Sequence, residues 1–149
     1  MSSGISIHFI VYNLSFIVHT FLSIDYWTHK CWLAYSVGSF AFGYGTVSTK
    51  ELEKTIEKII SEKHITDIVI GMPYNIDGTM SPHGQRVQSI ADRIQKSTWL
   101  PVHFQDERLT SSEADLSFRE AGIDGDIDTE AARLILESYL SKSTDDPSH

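Results

Sequence analysis

What this chain has little of narrows the field first. Cys31 is its single cysteine, so no internal disulfide can form and a reducing, cytoplasmic setting is the expectation. Basic residues are scarce: 12 Lys and Arg stand against 20 Asp and Glu, for a net charge of −8. That balance argues against broad, sequence-independent adhesion to nucleic acid. It leaves open an enzyme acting on nucleic acid, because an acidic site that binds divalent cations meets phosphates through the metal. No Lys or Arg precedes Lys30, so the basic n-region of a signal peptide is missing. The seven histidines lack the paired spacing of a zinc site and read as surface or satisfied core residues. An unbroken apolar run is lacking too. Residues 5–22 are rich in Ile, Val and Phe but are interrupted by His8, Asn13, Ser15 and His19, which weakens a membrane span and favours an extra strand or a loosely packed extension.

What is present fits one domain, since 149 residues are enough to bury a real core. Residues 1–19 stand apart as an N-terminal extension, 20–142 form the domain, and the polar tail 143–149, with Pro147, is expected to be disordered. The organising stretch is 21–36. A short apolar run delivers Asp25 at its end, and a second apolar segment, 32–35, follows after a polar gap sized for a hairpin. A carboxylate at the tip of a buried strand must be hydrated, paired or metal-bound, although an aspartate that merely opens a turn is the simpler account when it is taken alone.

Residues 40–47 read as a third strand whose glycines permit a bulge. Ser48-Thr-Lys-Glu51 has the form of a capping box and opens a helix to about Lys63, with Leu52, Ile56, Ile59 and Ile60 on one face. Residues 66–71 form a continuous apolar strand of the kind buried on both sides in a parallel sheet. A loop rich in turn formers follows, over 72–79. Ser81 and Pro82 mark a second helix start, with Val87, Ile90, Ala91 and Ile94 as its stripe. A fifth strand over 100–105 leads into Asp106-Glu107-Arg108-Leu109-Thr110, and Thr110-Ser-Ser-Glu113 is another capping box. A last helix carries Ala131, Leu134, Ile135, Ser138 and Tyr139 along one side. The expected fold is α/β: a five-stranded mixed sheet, an antiparallel meander of three strands plus two parallel ones, flanked by helices. Asp25, the 72–79 loop and Glu107 all follow strands on one edge, where open α/β sheets gather ligands.

Asp25, Glu107 and Asp128 are the acidic positions that could converge. Carboxylates that close repel one another unless a cation neutralises them. Mg²⁺ prefers oxygen ligands, usually a few carboxylates with waters and phosphate oxygens, and two such ions about 4 Å apart can activate water and stabilise the leaving oxygen in phosphodiester cleavage. Singly, each acid is as well explained by a turn, a cap or a helix dipole.

Three motifs decide between these readings. Ile70-Gly-Met-Pro-Tyr-Asn-Ile-Asp-Gly-Thr79, Asp106-Glu-Arg-Leu-Thr-Ser111, and Asp128-Thr-Glu-Ala-Ala132 with Leu134-Ile-Leu-Glu-Ser-Tyr-Leu140 closely resemble, in matching order, the YqgF/RuvX family. Those RNase H-like proteins are described as Holliday junction resolvases and as nucleases that mature the 5′ end of pre-16S rRNA. The resemblance covers about residues 21–142. It implies an RNase H-like fold and a Mg²⁺- or Mn²⁺-dependent nuclease, monomeric or homodimeric, acting on precursor rRNA or branched DNA away from any membrane. It also implies that Asp25, Glu107 and Asp128 form the metal-binding catalytic set. Thr28, Lys30, Asn75, Asp77, Gly78 and Arg108 are the matching substrate-side positions. Arg108 suits a phosphate because guanidinium pairs with it bidentately.

The chain departs from the family at its first motif, usually D-x-G-T-K-R-x-G and here Asp25-Tyr-Trp-Thr-His-Lys-Cys-Trp32. Lys30 keeps a cation where arginine is usual, and His29 replaces lysine. Trp27, Trp32 and Trp99 stand where glycine is expected, and glycine allows positive φ and close backbone approach that an indole cannot copy. Either the site is altered or disabled, which would leave a catalytically impaired RNA-binding or ribosome-assembly module, or the three positions are glycines encoded by a reassigned stop codon, which reading the codons decides. The surplus before the usual family start suggests a misplaced start codon.

Overall fold

The computed structural model describes residues 18–107 and 129–145. Strands β1 (Phe21–Tyr26), β2 (Lys30–Val37), β3 (Phe40–Ser48), β4 (Asp67–Met72) and β5 (Val102–Asp106) make one mixed sheet in the order β3-β2-β1-β4-β5. β1, β2 and β3 pair antiparallel, whereas β4 joins β1 and β5 joins β4 in parallel. This is the expected meander extended by two parallel strands.

Side-chain alternation along the strands divides the core between the two faces of the sheet. Leu22 and Ile24 of β1 share one cluster with Cys31 and Leu33 of β2 and with Ile68 and Ile70 of β4. Helices α1 (Leu52–Lys63) and α2 (Pro82–Thr98) cover that face through Leu52, Ile56 and Ile59 and through Val87, Ile90, Ala91 and Ile94. These are the stripes read from the spacing. Trp32, Ala34 and Val69 point the other way, where α3 (Thr129–Asp145) brings Ala132, Ile135 and Leu136. All six positions of β4 are buried, as a central parallel strand requires. Each of its fully buried Ile and Val side chains contributes roughly 1.5–3 kcal/mol.

Local signals explain most element ends. The Ser81 hydroxyl accepts the Gly84 N–H at 2.9 Å, and Pro82 opens α2. The glycine-bearing third strand does carry a bulge: the β2–β3 register shifts opposite Leu33 and Ala34, between Gly45 and Gly43, with Gly45 at φ +144°. The box expected at Ser48 and Glu51 does not form. Thr49–Glu51 is a short 3-10 turn, and Ser48 makes no side-chain capping bond. Thr49 anchors this junction instead. Its hydroxyl donates to the Trp27 carbonyl at 2.7 Å and its N–H to the His29 carbonyl at 3.0 Å, tying the start of the helix to the β1–β2 turn. α3 runs to Asp145, three residues into the stretch expected as a tail. The second expected capping box, at Thr110, lies outside the described residues.

At the sheet edge where β4 begins, the buried Asp67 carboxylate meets His19 Nδ1 at 2.7 Å and His103 Nε2 at 2.9 Å and accepts from the Thr66 hydroxyl at 2.6 Å. Burial pushes this carboxyl up, but the bonds from His19, Thr66 and His103 together outweigh it and hold the group below its ordinary value. The chain thus keeps one compact ionic knot at the end of the sheet opposite the Asp25 end.

Candidate active site

Asp25 is the fifth of six residues in β1 and pairs across the sheet with Trp32. Its side chain therefore shares the face on which α3 packs, and it is only 8% exposed. Trp27 Nε1 donates to Asp25 Oδ1 at 3.0 Å. The indole is itself buried, and its ring lies 4.4 Å from that of His83, nearly parallel at 18°. Neither Trp27 nor Trp32 has a positive φ; Trp99 has one, at +62°, as the left-handed cap of α2. The strain that glycine relieves is thus confined to Trp99 among these three, and Trp27 serves as a wall of the site that orients Asp25. Trp32 is 1% exposed, and among the described residues its Nε1 finds no hydrogen-bond acceptor.

Asp25, Trp27, His83, Gly71 and Glu107 line one cavity of about 170 Å³, and Ala131, Leu134 and Ile135 of α3 supply its far wall. Glu107 follows β5 directly, and its N–H continues the ladder to the Met72 carbonyl at 2.9 Å. Gly71 is why the two elements can sit so close. A Cβ there would lie 2.7 Å from Ile135 Cδ1 and 3.3 Å from Glu107 Cγ. The parallel strands thus present two carboxylates at their carboxyl ends, where the sequence located Asp25 and Glu107. Asp128 and Arg108 lie outside the described residues; α3 begins immediately after Asp128, at Thr129.

The remaining substrate-side positions sit differently. Thr28 and Lys30 are exposed on the β1–β2 turn. Asn75, Asp77 and Gly78 build a turn from their own groups. Asn75 Nδ2 donates to Thr79 Oγ1 at 2.9 Å, and Asp77 Oδ1 accepts the Thr79 N–H at 2.9 Å and its hydroxyl at 2.6 Å. Gly78, at φ +87°, donates its N–H to the Asn75 carbonyl. None of the three lines the cavity.

His83 was not singled out by the sequence. Its place one residue after Pro82, in the first turn of a helix that starts on the Asp25 edge, was the available signal. Arg86 Nη2 lies 3.2 Å from His83 Nδ1, and His83 Nε2 lies 3.0 Å from the Tyr26 carbonyl. A guanidinium can only donate, so Nδ1 accepts and the ring proton sits on Nε2, directed at the carbonyl. Both ring nitrogens are thereby occupied, which leaves carboxylate oxygens as the donors facing the cavity. Such hard donors fit Mg²⁺ or Mn²⁺ and disfavour softer ions. Among the described residues no three His, Cys, Asp or Glu side chains meet at metal-binding distance. Burial pushes the Cys31 thiol up, an effect that bonds to Thr49 and the Trp27 carbonyl reduce and the Asp25 charge adds to. It is therefore a packed side chain and not a nucleophile.

The chain is similar to known proteins. Over 113 residues, 70% of this chain and 78% of the relative, the sequence is 36% identical to a protein of Acaryochloris marina named "Putative pre-16S rRNA nuclease". A protein of the same name from Maridesulfovibrio salexigens is 34% identical over 137 residues, 82% of this chain and 98% of that one. Among solved structures, RuvC of T. thermophilus in complex with a Holliday junction substrate superposes with a TM-score of 0.51, covering 85% of this chain and 96% of that chain at 8% identity. That likeness concerns the fold, which is RNase H-like. Residues 19–142 match the model of the RuvX family, described as a Holliday junction resolvase, and the chain belongs to that family.

Proposed function

We propose that this chain is a divalent-metal-dependent endonuclease that hydrolyses phosphodiester bonds in structured nucleic acid, with the 5′ end of precursor 16S rRNA as its substrate in the cytoplasm. The observation that carries this reading is the meeting of Asp25 and Glu107 on the walls of one cavity. The names of the two relatives support the choice of RNA. Asp25, Glu107 and Asp128 would hold Mg²⁺ or Mn²⁺, which when bound supplies an activated water and stabilises the leaving oxygen. Trp27 fixes the Asp25 carboxylate through its indole N–H, and His83 packs the indole in place. Lys30, Thr28 and Arg108 are the groups assigned to the sugar-phosphate backbone, and the turn built by Asn75, Asp77 and Gly78 borders the substrate. Ile135 and Leu134 limit water on the α3 side.

Asp25→Asn keeps the shape of the side chain and removes its charge. It is expected to abolish Mg²⁺-dependent cleavage of a precursor rRNA fragment with the circular dichroism spectrum unchanged. Undiminished cleavage by this variant refutes the assignment. The family description favours a second reading, resolution of four-way DNA junctions. Assaying the same preparation on a junction and on the rRNA fragment separates the two.

A further inference from the structure

Trp27 is clamped at its backbone and on its ring face. Its carbonyl accepts from the Thr49 hydroxyl at 2.7 Å, and its indole stacks on His83, whose Nε2 is anchored on the Tyr26 carbonyl at 3.0 Å. A side chain held in this way has little freedom left, and the one polar atom it carries, Nε1, donates to Asp25 Oδ1 at 3.0 Å. Trp27 is 4% exposed and Asp25 8%. The bond is therefore made away from bulk water, where a hydrogen bond to a carboxylate is stronger than at the surface.

The chemistry of the donor matters as much as its place. Asp25 and Glu107 line the same cavity, and a lysine or arginine bonded to Asp25 would cancel part of the charge that draws a cation there. An indole N–H donates without carrying charge. It fixes the plane of the carboxylate and offsets part of its burial cost, while both negative charges remain available to the ion. Groups bonded to a metal-binding carboxylate govern how its oxygens are presented, and through that the affinity.

We infer that the Trp27 indole N–H is a positioning group for the divalent cation, setting the affinity of the Asp25 site for Mg²⁺ or Mn²⁺ by holding Oδ1. The inference rests on the nuclease reading and deepens it, from which carboxylates would bind the ion to what makes one of them bind it well. Trp27 acts through Asp25 and is not itself a ligand, since its N–H has no lone pair to give.

The test titrates Mn²⁺ alone into the full chain, without nucleic acid, and reads the free ion from its electron paramagnetic resonance signal. Three variants are compared with the unchanged chain. Trp27→Phe keeps an aromatic ring against His83; benzothienylalanine at position 27 keeps the shape of the indole but has sulfur in place of the N–H; Asp25→Asn removes the carboxylate. Losing a group bonded to a metal ligand costs about 10- to 100-fold in affinity, and both position-27 variants are expected to lose that much with unchanged circular dichroism. A Trp27 that merely fills space would leave the benzothienyl chain binding as before, so an unaltered Mn²⁺ affinity in that chain overturns the inference, whatever Trp27→Phe does. Asp25→Asn separates this result from a failure of the nuclease reading. If it loses Mn²⁺ while the benzothienyl chain does not, only the role of Trp27 falls. If it binds Mn²⁺ as tightly as the unchanged chain, or if the unchanged chain takes up none, the cation site falls and the inference with it.

Discussion

Gly71 offers a double-mutant test of how the acidic cavity is built. A methyl at residue 71 would stand 2.7 Å from Ile135 Cδ1 and 3.3 Å from Ile135 Cγ1 and Glu107 Cγ. A contact of 2.7 Å is not sustainable, so the Ile135 side chain must turn aside or α3 shift while Glu107 gives by a few tenths of an ångström, and overpacking of this kind costs about 1–3 kcal/mol. Gly71 has no positive φ, so alanine also restricts the unfolded chain, which offsets about 0.4–1 kcal/mol. The net expectation for Gly71→Ala is a loss of roughly 0–2.5 kcal/mol. Ile135→Val alone removes Cδ1 and costs about 0.5–1.5 kcal/mol. In the double variant the closest clash is gone, so alanine becomes neutral or mildly stabilising. The coupling energy is then expected at about 1–3 kcal/mol, read from urea unfolding midpoints at constant m. Additivity within about 0.5 kcal/mol would show that helix and strand do not meet through this glycine. Because Glu107 is one of the displaced neighbours, the same alanine is expected to lower cleavage more than its stability loss explains, with Ile135→Val restoring part of it.

Trp99 caps α2 at φ +62° with its side chain 89% exposed. Left-handed backbone costs a residue with a Cβ roughly 1–2 kcal/mol, so Trp99→Gly is expected to raise stability by about 1 kcal/mol after the entropic offset of glycine; a lower unfolding midpoint would count against the strain. Asp67 is held below its ordinary carboxyl value by its three partners. A depressed folded value contributes stability above the unfolded value near 3.9 and loses it as pH falls further. Asp67→Asn is therefore expected to cost about 1–3 kcal/mol at neutral pH, with the gap to the unchanged chain narrowing below about pH 4. A gap of constant size from pH 7 to pH 3 would mean that the carboxylate charge contributes nothing.

Much of this was legible in the residues, and the exceptions have physical causes. The strand order follows from polarity period and connection length: a short gap after β1 allows a hairpin, whereas the helical stretches before β4 and β5 force parallel crossovers. The Ser81 cap could be read because its partner, the Gly84 N–H, is three residues away. The Ser48 motif had the same spacing and failed, since Thr49 is bound by carbonyls twenty or more residues distant, a contact no local pattern reveals. Asp25 and Glu107 could be found from their places after strands. His83 offered only its place in the first turn of α2, because its contacts with Trp27 and Tyr26 exist only once α2 lies on the sheet. Asn75, Asp77 and Gly78 combined turn chemistry with a family motif, and in the structure their polar groups are used within the loop.

The hydrogen bond from the Ser23 hydroxyl to the Ala132 carbonyl, 2.7 Å long and spanning 109 positions of sequence, has a bearing on timing. It joins β1 to α3, and α3 closes one side of the acidic cavity. Bringing such remote segments together exacts its entropy before any contact compensates. The wall that α3 gives this cavity therefore forms only once that long-range contact is made.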